Sequence, residues 1–357
     1  MLNNILKLTK DLTTIKSLST NKEDLEKALS LAISNLSEYS VKAFDYKGSK
    51  SALVFNSKKI PSKFKMLLNG HLDVIPGKEN QYHPIIKGNR LYSAGAMDMK
   101  ASIACMVLVF KEVATRVKYP LGLQLVTDEE TGGFNGTKHQ IEKGVRADFV
   151  ISGESTSLNI ANKAKGILWI KILAAGKSAH GAYPWKGVNA IAKMSQFLNL
   201  LNKVYPTPEK EAWTTTINVS KIETTNNVFN KIPNDCTLWL DIRYIPEDSE
   251  FILKTIRKML PKGFKLEVIV NEPALYTNEN NLYVKKLQEL TKKVTNKKPI
   301  LYGANGSSDA RHFMQVGSDG IEFGPIGGGI GTDEEWVNIP SLENYYKILK
   351  QFLLTIS

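Results

Sequence analysis

An imidazole and five carboxylates, His71, Asp73, Asp98, Glu129, Glu130 and Glu154, follow one another along a single stretch of chain, each at the end of an apolar run or in a turn beside one. The run Met66-Leu67-Leu68-Asn69-Gly70 stops at His71, and a strand that ends in an imidazole aims it into the space beyond the strand. Asp73 stands two residues on. In extended chain that spacing puts both side chains on one face, where a carboxylate can accept the free ring N–H of a metal-bound imidazole and fix its tautomer. Asp98 sits in a turn opened by Gly95, just ahead of an apolar segment with helical character. A second apolar run, Leu121 to Thr127, leads into Asp128-Glu129-Glu130, and a third, Ala147 to Gly153, into Glu154. Strands that deliver nitrogen and oxygen ligands from their C-terminal ends use the edge where open α/β sheets build their sites. Such a mixed ligand set suits zinc, with cobalt or manganese as alternatives. In the adjacent pair Glu129 and Glu130, one carboxylate can bind metal while the other faces the open coordination position as general base. One acidic pair at a strand end is ordinarily a solvated turn. Four such features in register argue for a site.

The segments GHLDV, SAGAMDMK, TDEETGG, SGES, GKSAHGAYPWKGVNAI, NKIPNDCTLWLDIR and GSSDARHF extend the pattern over nearly the whole chain. Together they resemble the M20 family of metallopeptidases and deacylases, which includes carboxypeptidases, acetylornithine deacetylase and succinyl-diaminopimelate desuccinylase. The resemblance implies a metal-dependent hydrolase that cleaves the amide bond of an N-acyl amino acid or a short peptide. It further implies that His71 and Glu154 hold one metal, Asp98 bridges two, Glu130 holds the second, Glu129 is the base, and Asp73 supports His71.

The family pattern also supplies a C-terminal histidine to the second metal, four residues before a glutamate. Here Gly331-Thr332-Asp333-Glu334-Glu335-Trp336-Val337 places a glycine at that position. Three outcomes stay open: one tight and one weak ion, replacement of the ligand by Asp333 or Glu334, or a site altered by substitution. A catalytically impaired binding homologue is the alternative reading of the whole chain, and Gly331 is the residue that favours it. By the same resemblance His180 belongs to a smaller dimerisation domain, reaches the partner subunit's site and stabilises the oxyanion. Arg311 is expected to bind a substrate carboxylate bidentately, with a salt bridge to Asp309 as its ordinary alternative. Asn230 matches a substrate-contacting position. His83 and His139 read as surface residues.

The elements that must position these groups follow from the hydrophobic periods. Residues 1–164 alternate helices with short buried strands, which calls for an α/β domain with a mixed sheet flanked by helices. From residue 165 to 275 the order is strand, helix, strand, strand, helix, strand, an inserted α+β unit of the ferredoxin-like kind, which by the resemblance would serve as the dimerisation lid. Residues 276–357 return to the catalytic domain.

Composition bounds the function. A chain of 357 residues is long enough for two cores. It has no apolar run long enough for a membrane span, and the N-terminal stretch reads as an amphipathic helix, not a secretory signal. The two cysteines, Cys105 and Cys236, suit free thiols in a reducing compartment, so cytoplasm is expected. A net charge of +12 invites a nucleic-acid reading, but 41 of the 47 basic residues are lysines scattered singly or in pairs without an aromatic platform. The expected partners are a second copy of the chain and a small substrate bearing a free carboxylate, with no nucleic acid and no membrane.

Overall fold

A computed structural model of the protein describes residues 1–356. The chain divides into two compact units. One comprises Met1–Lys163, Leu275–Tyr302 and the residues from Ser308 onward; the other comprises Ala164–Ala274 with Gly303–Ser307. The second return, Gly303–Ser307, has a local cause: Gly303 lies so close to the Trp213 ring that a Cβ there would come within 2.5 Å of it, and Ser307 Oγ donates to the Lys165 carbonyl.

In the larger unit four strands run parallel at the centre of the sheet, in the spatial order Leu121–Val126, Phe64–His71, Ala147–Ser152, Asp319–Glu322. Their residues are buried almost without interruption, as expected for strands covered on both faces. Antiparallel strands flank them: Ser49–Phe55 beside Leu121–Val126, and Ile160–Ala164 beside Asp319–Glu322. One face is covered by the helices Leu2–Thr14, Ala101–Val113, Leu282–Thr295 and Ile339–Thr355. Of these, Ala101–Val113 is apolar nearly all round and takes the centre of the layer. The opposite face packs Phe64, Leu67 and Val150 against Ile141, Val145 and Phe313 beneath two short helices, Thr137–Glu142 and Ala310–Met314. All four parallel strands therefore end at one edge, and His71, the Asp128–Glu130 turn and Glu154 leave from it. This mixed α/β architecture is the one the apolar runs call for.

A small antiparallel sheet in the same unit joins Ile85–Lys87, Arg90–Tyr92, Trp336–Asn338 and Gly327–Gly328. It ties the chain just before the Asp98 turn to the C-terminal segment that holds Gly331 and Glu335.

The smaller unit has one antiparallel sheet in the order Thr216–Glu223, Asp235–Tyr244, Gly166–Ala175, Phe264–Glu272. With helices Ala190–Val204 and Ile252–Met259 between the strands, the connectivity is βαββαβ, the ferredoxin-like order. Its two central strands alternate buried and open residues along their length, so one face takes the helices and the other does not. Among the described residues no helix is long and apolar enough to cross a membrane.

Candidate metal centre

His71 ends its strand with the ring almost fully buried. Its Nε2 is 2.9 Å from Asp98 Oδ1 and 3.9 Å from Glu154 Oε1, and the ligand atoms of the three residues all lie within 4.8 Å of one another. Two donors on one tetrahedral zinc, each at roughly 2.1 Å, stand about 3.4 Å apart, so this spacing fits a common centre. The electrostatics point the same way. Burial, and then the neighbouring Asp98, push the Glu154 carboxyl well above its ordinary range. For Asp98 burial acts upward too, but the His71 hydrogen bond overcomes it and the group is lowered. Burial works against a charged His71, and its bonds to Asp73 and Asp98 outweigh that and raise it. Buried carboxylates crowded at such distances are stable as anions only beside a cation, which this donor set is suited to hold.

The paired glutamates form a single helical turn, Glu129–Thr131, directly after the strand. The Glu129 and Glu130 amides donate to Asp73 Oδ1 at 3.2 Å and Oδ2 at 2.9 Å. Asp73 also faces His71. Its main-chain carbonyl lies 3.0 Å and its carboxylate Oδ1 3.6 Å from His71 Nδ1, so both groups of the residue face the imidazole while the carboxylate also accepts from the turn. One residue thus orients the imidazole and the acidic pair together. Burial raises the Glu129 carboxyl well above the ordinary range, against the pull of His71, and raises Glu130 to about 7. The turn continues through Gly132 and Gly133, and at Gly133 (φ +66°) a Cβ would fall 1.8 Å from Asp309 Oδ1, so only glycine passes.

Arg311 is buried beside the acidic pair. It is 1 % exposed, its Nη1 and Nη2 donate to the Ser308 and Gly132 carbonyls at 2.8 and 2.7 Å, and Nη1 is 3.9 Å from Glu129 Oε1. The guanidinium faces the Glu129 turn. His312 Nε2 donates to the same Gly132 carbonyl at 3.0 Å. His83 is exposed. The expectation that His139 is a surface residue is corrected: it is 7 % exposed and stacks on Tyr46, at the end of strand Ser40–Tyr46, with ring centroids 4.2 Å apart.

Gly331 is exposed at φ +70°. Neither neighbour replaces the missing imidazole: Asp333 pairs with Lys78, Glu334 is exposed, and among the described residues the metal-ligating cluster contains only His71, Asp98 and Glu154. In the smaller unit His180 and Asn230 are both exposed and adjacent. His180 pairs in a β-bridge with Lys231, and the Gly181 amide donates to the Asn230 carbonyl at 2.7 Å. Their chain neighbours Gly181, Phe229 and Lys231 are among the residues lining an open cavity of about 600 Å³.

Two features escaped the sequence reading. A buried polar ladder runs beneath the site: Ser152 Oγ donates to Asn69 Oδ1, Asn69 Nδ2 to Gln124 Oε1 and Thr137 Oγ1, and Thr137 Oγ1 to Asp309 Oδ2, at 2.6 to 3.3 Å. Its only signal was amide side chains interrupting apolar strands. Glu335, 5 % exposed, accepts from the Gly95, Met97 and Asp98 amides. Its spacing from Gly331 marked it, but not its target.

A parallel sheet that brings an imidazole and carboxylates to one edge, with a βαββαβ unit inserted in the chain, is the construction of a metal-dependent amidohydrolase. Residues 67–355 match the model of peptidase family M20/M25/M40, and the chain belongs to that family. It is 28% identical over 333 residues, 84% of this chain and 86% of the other, to a succinyl-diaminopimelate desuccinylase of Pelagibacter ubique. In structure it is similar to an aminopeptidase of Bacillus cereus (TM-score 0.80, 18% identity, 99% and 98% of the two chains) and to a tripeptidase of Staphylococcus aureus (TM-score 0.79, 21%, 99% and 98%).

Proposed function

We propose that the protein hydrolyses the amide bond of an N-acyl amino acid or a short peptide with a divalent cation, zinc in the first instance, held by His71, Asp98 and Glu154. The observation that carries this reading is the convergence of those three donors within 4.8 Å, with the Glu129–Glu130 turn tied to the same Asp73 that orients His71. The cation supplies Lewis acidity toward the scissile carbonyl and the attacking water. Glu129 takes a proton from that water at its carboxylate and returns it to the leaving amine; its burial and raised proton affinity suit both transfers. Arg311 steadies the Glu129 turn through the Gly132 carbonyl. Glu130, raised to about 7, is the protein ligand for a second and weaker ion, since Gly331 brings no side chain.

His180 and Asn230 form a presented pair in the inserted unit, and we assign them to a homodimer in which His180 donates to the developing oxyanion in the partner's site. The desuccinylase, aminopeptidase and tripeptidase likenesses support acyl amino acids and short peptides as substrates. A positive net charge favours substrates with a free carboxylate. Both cysteines are buried and unpaired, which suits a reducing compartment such as the cytoplasm. A panel of N-acyl amino acids, dipeptides and tripeptides assayed with zinc, cobalt and manganese tests the proposal. Cation-dependent release of an amine from at least one class is expected, and no turnover with any cation would refute it.

A further inference from the structure

Glu335 stands beside the metal centre without contributing an oxygen to it. The antiparallel pairing of Trp336 with Tyr92 brings it against the turn that follows, where its carbonyl accepts from the Ser93 amide at 3.2 Å. Its carboxylate then reaches into that turn: Oε2 accepts from Gly95 N at 3.0 Å, and Oε1 from Met97 N at 2.8 Å and Asp98 N at 3.1 Å. Three backbone donors converge on one buried anion, a strong charge-assisted arrangement. The turn they belong to carries Asp98, whose Oδ1 lies 2.9 Å from His71 Nε2.

We propose that Glu335 is a positioning residue for the cation site, clamping the Gly95–Asp98 turn so that Asp98 presents its oxygen to the ion shared with His71 and Glu154. This rests on the metal reading above. It makes the support of the site two-sided, with Asp73 holding the turn of the acidic pair and Glu335 holding the turn of Asp98. Since both Glu335 oxygens are occupied by amide donors, it acts through Asp98 and is not itself a ligand. Outer residues that orient metal ligands typically contribute 10- to 100-fold in metal affinity.

The test uses Co2+ added to the chelator-treated full chain, followed by visible absorption, with the wild type, Glu335→Gln and Glu335→Asp. Glutamine keeps one acceptor and turns an NH2 group against an amide donor; aspartate keeps the charge but falls short by a methylene. Both variants are expected to bind Co2+ about 10- to 100-fold more weakly and with a shifted absorption band. In the metal-free protein, amide hydrogen exchange at Gly95, Met97 and Asp98 is expected to be slow in the wild type and faster in Glu335→Gln. An unchanged Co2+ affinity and band in a folded variant would overturn the proposal. So would fast exchange of those three amides in the wild type, a measurement that needs no variant to fold. A wild type that takes up no Co2+ refutes the metal reading itself, whereas a wild type and variants that bind Co2+ equally refute only the clamp.

Discussion

Gly331→His places an imidazole where the family pattern has one, and the structure sets what it should do. The residue sits at φ +70°, where a non-glycine residue is strained by about 1 kcal/mol, although histidine is among the side chains that tolerate this region best. A Cβ there would meet only Ile75 Cδ1, at 3.4 Å, an ordinary contact. Removing a glycine from the unfolded chain offsets about 0.5–1 kcal/mol of the strain. The metal-free variant should therefore match the wild type within about 1 kcal/mol. With ligand present the order reverses. If the imidazole reaches the ion beside Glu130, that ion tightens at least tenfold, about 1.4 kcal/mol, and excess zinc stabilises the variant by a corresponding amount. Calorimetric titration with zinc should give a stoichiometry nearer one ion per subunit for the wild type and two for the variant, and thermal unfolding with and without zinc should show the crossover. Two tight ions in the wild type, or one in both proteins, would refute the argument that Gly331 is what weakens the second site.

Glu129→Ala should lower turnover by at least about 100-fold while leaving the tight ion in place; loss of that ion on elemental analysis would mean that Glu129 and Glu130 have exchanged roles. Asp73→Asn leaves one acceptor oxygen for two amide donors and should cost about 1.5–3 kcal/mol of stability in denaturant unfolding, with catalysis reduced in parallel; a variant as stable as the wild type would contradict the double clamp. The metal-free protein should lose stability as pH rises from about 5 to 7. Burial raises Asp128, Glu130 and Glu322 to about 7 and Glu335 to about 6, so in this window the fold holds protons that the unfolded chain has released, at up to about 1.4 kcal/mol per pH unit for each group. A cation bound at Glu130 keeps that carboxylate ionised and should remove its share of the slope. Stability of the chelated protein that climbs from pH 5 to 7 would contradict the scheme. His180→Ala should reduce turnover without changing metal content, and a fully active monomer in solution would remove its assigned part in a dimer.

The sequence determined this protein's elements and their order because the signals are local. Uninterrupted apolar runs mark strands buried on both faces, alternating runs mark the half-buried sheet of the inserted unit, and the candidate ligands fall where a run stops or, for Asp98, in the turn before one begins. Function was legible to the same depth, since a strand end is where a side chain becomes available for chemistry. What spacing along the chain could not decide was which atom of a residue is used and for what. Asp73 lies at the right distance for a carboxylate–imidazole pair, and the fold adds its carbonyl to the ring and ties its carboxylate to a turn more than fifty residues away. Arg311 reads as an anion receptor, and packing sets its Nη1 and Nη2 against the Ser308 and Gly132 carbonyls. His139 looks polar and exposed until a helix face turns it onto Tyr46. Glu335 reads as a fourth neighbour of Gly331, and only the pairing of two short strands carries it to the Asp98 turn. Hydrogen bonds of this kind join residues distant in sequence and depend on direction to within a few tenths of an ångström. Side-chain type and order therefore named the participants, and only the folded chain assigned them their partners.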